Sequence, residues 1–152
     1  MEILFGTGIT GLGNFGERRS QILERLGEPT KKVLLDDDDA REEWQYYSLE
    51  SSFRFYDLHD GRLGWIRSDN PNLILLGTKV IGSESSEIRA LMKKAGYGEP
   101  ELDDYEEWSS LTWENVWLEL QTTYGRIRSI NLGVPWSEEG DEISYAWPKT
   151  NS

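Results

Sequence analysis

Two stretches of this 152-residue chain carry the same punctuation at the same spacing. Ile3-Leu4-Phe5-Gly6-Thr7 is followed by Gly27-Glu28-Pro29, and Ile74-Leu75-Leu76-Gly77-Thr78 by Gly98-Glu99-Pro100, each pair offset by 71 residues. Glu42-Glu43-Trp44 answers Glu106-Glu107-Trp108, and Gly61-Arg62-Leu63 answers Gly125-Arg126-Ile127, now at an offset of 64. Read as an internal duplication, the pattern restricts the fold to a small unit used twice. The difference of seven falls between Pro29 and Trp44, on a connection, where a change of length costs least.

Each unit reads as one amphipathic helix. Asn14 stands three residues before Glu17 in a capping-box pattern, Phe15, Ile22, Leu23 and Leu26 fall near one face, and Gly27 with Pro29 ends the run. In the second unit Ser83, Glu84 and Glu87 mark a start, Ile88, Leu91, Met92 and Ala95 repeat at helical spacing, and Gly96 stops it. An acidic connection and three short strands rich in aromatic and β-branched residues follow each helix. They are placed at 44–49, 52–58 and 62–67, with His59-Asp60-Gly61 as a tight turn, and at 108–113, 115–122 and 126–132. Residues 2–5 and 73–76 offer one more strand, which either opens its own unit or closes the preceding sheet. The middle strands match in two registers, Arg54 and Tyr56 with Val116 and Leu118, or Phe53 and Phe55 with the same pair. The expected fold class is α+β, an internal duplication in which each unit is one helix followed by a three- or four-stranded antiparallel meander. Unit one is residues 1–70, unit two 71–136, and 137–152 an acidic tail; units this small are marginal alone, so they pack as one globule.

Twenty-eight acidic residues against sixteen Lys and Arg leave a formal net charge of −12. That field repels phosphates and anionic lipid, which argues against nucleic acid and membrane as partners, and it accelerates encounter with a basic protein. Seven Trp, seven Tyr and four Phe supply ample buriable area despite 37% hydrophobic content. With no cysteine, disulfides and thiolate chemistry are excluded. Met1-Glu2-Ile3-Leu4-Phe5-Gly6 has no basic n-region or long apolar run, so a cytoplasmic protein is expected.

Motifs for chemistry are incomplete. His59, the one histidine, sits in a turn without an orienting partner. Asp36-Asp37-Asp38-Asp39 lacks the alternating ligands, central Gly and terminal Glu of an EF-hand loop. Gly6-Thr7-Gly8 and Gly11-Leu12-Gly13-Asn14 meet neither the Walker nor the Rossmann pattern. No catalytic residue, metal or cofactor is therefore expected, and the chain reads as a non-enzymatic binding protein, monomeric or homodimeric. Trp113 and Trp117 share one strand face with Asn115 and Glu119 if Val116, Leu118 and Leu120 face the helix; the alternative packs both tryptophans against the other unit. Trp113, Trp117, Trp44 and Tyr46 are the candidate anchors for a partner. Asp36, Asp37, Asp38 and Asp39 in one connector, and Glu101, Asp103 and Asp104 in the other, are the candidate acidic rim.

A helix ending in Gly-Glu-Pro, followed by an antiparallel sheet and repeated once, resembles the β-lactamase inhibitory protein-like fold over residues 3–132. The resemblance implies two repeats that combine their sheets into a concave surface gripping a protein. In size, acidity and aromatic content the chain is also similar to small bacterial immunity-type proteins, which implies occlusion of a basic toxin or enzyme. The competing expectation is a carbohydrate- or small-ligand-binding domain that stacks rings on exposed tryptophans.

Overall fold

Period-two alternation organises most of the chain. Along Ser51–Tyr56, buried Ser51, Phe53 and Phe55 interleave with half-buried Ser52, Arg54 and Tyr56. Along Leu118–Thr123, buried Leu118, Leu120 and Thr122 interleave with Glu119, Gln121 and Thr123. Strands of this kind bury one face and leave the other to solvent. The computed structural model describes residues 1–37, 40–57, 60–139 and 142–145.

Three short strands open the chain, β1 (Ile3–Leu4), β2 (Gly8–Ile9) and β3 (Gly13–Asn14), and form a small sheet of their own. Helix α1 (Arg19–Leu26) leads into β4 (Lys31–Leu34), β5 (Ala40–Tyr46), β6 (Ser51–Tyr56) and β7 (Arg62–Ser68). The two-residue strands β8 (Ile74–Leu75) and β9 (Thr78–Lys79) pair with each other. Helix α2 (Ser85–Lys94) is followed by β10 (Glu101–Asp104), β11 (Ser109–Trp113), β12 (Leu118–Thr123) and β13 (Arg126–Gly133). A final hairpin joins β14 (Trp136–Glu139) to β15 (Glu142–Tyr145).

The main sheet has eight antiparallel strands in the order β10-β11-β12-β13-β7-β6-β5-β4. This corrects the expected fold class. The chain is mostly β, and its strands run through one continuous sheet rather than through an α+β arrangement of separate helix-plus-meander units. The reason lies at the seam, where Ile130 stands opposite Ser68 and Leu132 opposite Ile66. Apart, β7 and β13 would each expose an unpaired edge; paired, they leave only β4 and β10 as edges of the main sheet and put Ile66, Ile130 and Leu132 into one core.

Both helices contribute to the core on one side of this sheet. Ile22 of α1 and the side chains of Phe53 and Leu63 close around Gly13, and Ile88 and Met92 of α2 are fully buried in the same cluster. Helix α1 begins later than the capping pattern predicts. The Glu17 carboxylate does accept the Asn14 N–H at 2.6 Å, but this closes a turn, and the helix is capped at Arg18, whose N–H is taken by Gln21 Oε1 at 2.9 Å. After each helix a glycine turns the chain with a positive φ, +78° at Gly27 and +79° at Gly98, a conformation a side chain would strain. Their carbonyls accept the Tyr46 hydroxyl at 2.9 Å and Trp113 Nε1 at 3.1 Å.

Several strand expectations also shift. Glu114–Val116 is a 3-10 turn and Trp117 has left-handed backbone, φ 54° and ψ 43°, so the expected strand over 115–122 starts only at Leu118. Neither register proposed for the middle strands holds: Phe53 and Phe55 face the core alongside Leu118 and Leu120, while Val116 stands in the turn. The segment over 2–5 joins neither half of the main sheet, pairing with β2 and making a parallel bridge from Glu2 to Ile74. Trp44 and Trp108, matched in sequence, differ in environment, since Trp44 is buried and Trp108 precedes β11 on the surface. Leu58, His59, Asp38 and Asp39 lie outside the described residues.

Candidate functional site

The face of the sheet turned away from the core is polar with aromatic islands. Cross-strand register places Gln45, Ser52, Arg67, Asn131, Glu119 and Thr112 in one row across six strands. The next row runs Glu43, Arg54, Trp65, Gly133. Glu43 accepts Gln45 Nε2 at 2.6 Å and Arg54 Nε at 2.9 Å, and the Arg54 guanidinium lies over the Trp65 ring, 4.2 Å from its centroid. A third group hangs on Glu119, whose Oε1 accepts Asn131 Nδ2 at 2.8 Å and Gln121 Nε2 at 3.0 Å.

Between these groups lies a depression of about 290 Å³ walled by Tyr56, Trp65 and Trp117, with Glu119 and Asn131 on one side and Gly133 between the two tryptophans. Two glycines shape it. A Cβ on Gly64 would come within 2.3 Å of the Tyr56 ring, so the bare backbone there is the seat on which Tyr56 lies. Among the described residues a Cβ on Gly133 would meet only Trp117 Cβ, at 3.7 Å, an ordinary contact. Packing against the described residues therefore does not demand glycine at 133, and its missing side chain leaves the depression open between the two rings. Trp117 is held in the left-handed region, which costs a non-glycine residue about 1–2 kcal/mol.

Of the four aromatic residues expected as anchors, the structure brings only Trp117 to this face. Trp44, Tyr46 and Trp113 are 2%, 4% and 1% exposed. Alternation turns them to the covered side, where their polar atoms are used inward: Trp44 Nε1 bonds to Glu42, and Tyr46 and Trp113 to the two glycine carbonyls. Trp65, Tyr56, Asn131 and Gly133 were not singled out. Their sequence signal was the alternation of Arg54 and Tyr56 against Phe53 and Phe55, and of Trp65 against Ile66.

The acidic residues do not converge. Asp36 and Asp37 are exposed beyond β4, with Asp37 Oδ1 accepting the Ala40 N–H at 3.3 Å, and Glu101, Asp103 and Asp104 are exposed along β10 at the opposite edge of the sheet. Both expected connectors are in fact edge strands or adjoin them, and charge on an edge discourages unwanted strand pairing. On β10 the nearby Glu114, then desolvation and Asp103, push the Glu101 carboxyl above its ordinary value, whereas the Arg89 hydrogen bond holds Glu99 below its own. The sign for Glu101 is that its charge is unfavourable in the folded chain: the penalty is absent below the unfolded pKa and complete above the folded one. A carbon-13 NMR titration should find Glu101 titrating above Glu99, and Glu114→Gln should draw Glu101 back toward its ordinary value. An unmoved Glu101 would remove Glu114 as the cause.

Among the described residues no group of His, Asp and Glu could hold a metal ion, and no helix is long and apolar enough to cross a membrane. No protein-family model matches the chain, and no curated protein matches it. A solved structure similar to it is a 1.5 Å crystal structure of an extracellular protein containing a SCP domain from Bacillus anthracis str. Ames, at 12% identity and a TM-score of 0.49. The match covers 90% of this chain and 50% of that one, so the chain spans half the length of that protein.

Proposed function

We propose that this protein is a non-enzymatic, acidic protein-binding module, an immunity-type or inhibitory protein that occludes a basic partner. The observation that supports the reading best is the outward face of the eight-stranded sheet, on which half-buried Tyr56, Trp65 and Trp117 gather around one depression beside Glu119. Aromatic residues set in a polar surround are the usual anchors of protein interfaces. The formal charge of −12, with exposed carboxylates at both ends of the sheet, steers a cationic protein toward this face and raises its rate of encounter. In this reading the encounter takes place in the cytoplasm, where a cysteine-free chain requires no oxidising conditions.

The test is retention from a lysate of the native host on immobilised protein at low and high salt, followed by purification of what is retained. A single basic protein should bind at low salt and be lost at high salt. Its affinity should fall by about tenfold or more with Trp117→Ala while the thermal midpoint of the variant drops by no more than about 4 °C. The joint replacement Glu101→Gln, Asp103→Asn and Asp104→Asn should slow association by about tenfold at low salt with little change in dissociation. No retained protein at either salt, or equal binding by Trp117→Ala, overturns the proposal. Quenching of tryptophan fluorescence by sugars without salt dependence would replace it with carbohydrate binding.

A further inference from the structure

We infer that the depression between Trp65 and Trp117 receives the positively charged side chain of a lysine or arginine from the partner, its charge met by the Glu119 carboxylate. The inference rests on the protein-binding reading and names the chemistry of its central contact. Three features carry it.

The first is the pairing of aromatic walls with a carboxylate. A cation set against the faces of Trp and Tyr is attracted by their π-electrons, and the attraction grows where water is displaced. Trp65 already receives a guanidinium from within the chain, that of Arg54. The second is the state of Glu119. Its Oε1 is held by Asn131 and Gln121, which fixes the carboxylate on the wall of the depression, while among the described residues Oε2 accepts no hydrogen bond and no Arg or Lys pairs with the group. Arg54 and Arg67, which share this face, are already matched to other carboxylates, Arg54 to Glu43 at 2.9 Å and Arg67 to Asp69 at 3.8 Å. A carboxylate anchored by two amides and lacking a countercharge is suited to a cation from outside.

The third feature is Gly133. It is a strand glycine that packing among the described residues does not require, and it lies between Trp65, its cross-strand partner, and Trp117, whose carbonyl accepts the Gly133 N–H at 2.9 Å. Any larger residue there would occupy the space between the rings. A glycine of this kind marks a place where another group comes close to the backbone.

The test needs no knowledge of the partner. Blocked arginine, N-acetyl-arginine N-methylamide, is titrated into the full chain at millimolar concentration, with the citrulline analogue as a neutral probe of similar shape and tetramethylammonium as a third probe. Proton–nitrogen spectra follow the Trp65 and Trp117 indole N–H groups and the Asn131 side-chain amide. The arginine probe should shift all three in a saturable way, with the citrulline probe weaker by about tenfold. Glu119→Gln should abolish that preference, and Gly133→Leu should abolish the shifts; if Gly133→Leu fails to fold, Glu119→Gln alone decides.

Equal binding of arginine and citrulline probes, or no localised shift with either, overturns the inference. Tetramethylammonium bound about tenfold tighter than arginine would overturn it too, in favour of a small quaternary ammonium ligand. A captured partner whose affinity ignores Glu119→Gln would retire this pocket and leave the protein-binding reading standing. Localised arginine binding with no partner captured would do the reverse.

Discussion

Trp113→Ala is expected to lower the unfolding free energy by about 3–5 kcal/mol, while Trp117→Ala, four residues on, should lower it by about 1 kcal/mol or less. Trp113 is 1% exposed and its indole N–H donates to the Gly98 carbonyl at 3.1 Å, where the chain turns after α2. Truncation leaves a cavity the size of an indole against the sheet, and it also orphans that carbonyl. Trp117 stands half-buried on the other face, so its removal opens no void in the core. Urea unfolding read by circular dichroism separates the two, because a midpoint shift at constant slope reports stability alone. Similar midpoints for the two variants would contradict the assignment of opposite faces.

Arg25→Ala should cost about 3 kcal/mol, from the ion pair it makes with Glu17. The Glu17 side chain is 9% exposed, and its oxygens lie 2.6 and 2.9 Å from the Arg25 guanidinium, which also donates to the Leu12 carbonyl at 3.3 Å. Removing Arg25 leaves an almost buried carboxylate whose one remaining partner among the described residues is the Asn14 N–H, and an uncompensated buried charge is what makes such variants costly. The expected loss lies at the low end of the range for buried pairs because the Arg25 side chain is 37% exposed, so water re-enters readily. Glu17→Gln in the Arg25→Ala background should recover part of the stability. A double-mutant cycle in urea measures the coupling, and additive effects would show that the two side chains act independently.

The sequence made the strands legible wherever alternation was clean. The hairpin from Ser51–Tyr56 to Arg62–Ser68 and the strand Arg126–Gly133 fall close to where apolar periodicity places them, since a one-residue slip there would turn Phe53, Phe55, Leu63 and Ile66 out to water. Expectation failed around the 3-10 turns at Tyr47–Leu49 and Glu114–Val116, each followed by a left-handed residue, Glu50 and Trp117. Such a turn resets which face the next residue occupies, so parity counted from Trp113 misplaces what comes after it. That is why Trp113 and Trp117, apparently on one face, lie on opposite sides of the sheet. The acidic connectors misled for another reason: Lys31–Leu34 and Glu101–Asp104 carry no buried side chain, and their strand character comes from pairing with β5 and β11.

What the sequence determined by itself was local: the two short helices with their glycine exits, the apolar stripes of the inner strands, and the acidic balance of the surface. These follow from backbone freedom, side-chain periodicity and charge, all of which act over a few residues or over the whole molecule without regard to topology. Tertiary structure alone decided that β13 pairs with β7, merging the strands into one sheet, and that Tyr56, Trp65, Trp117, Glu119 and Gly133 meet around one depression. Those residues belong to four strands and a turn, and their meeting depends on the register across the seam. That register is set by the shared burial of Ile66, Ile130 and Leu132, a long-range choice that no local pattern encodes.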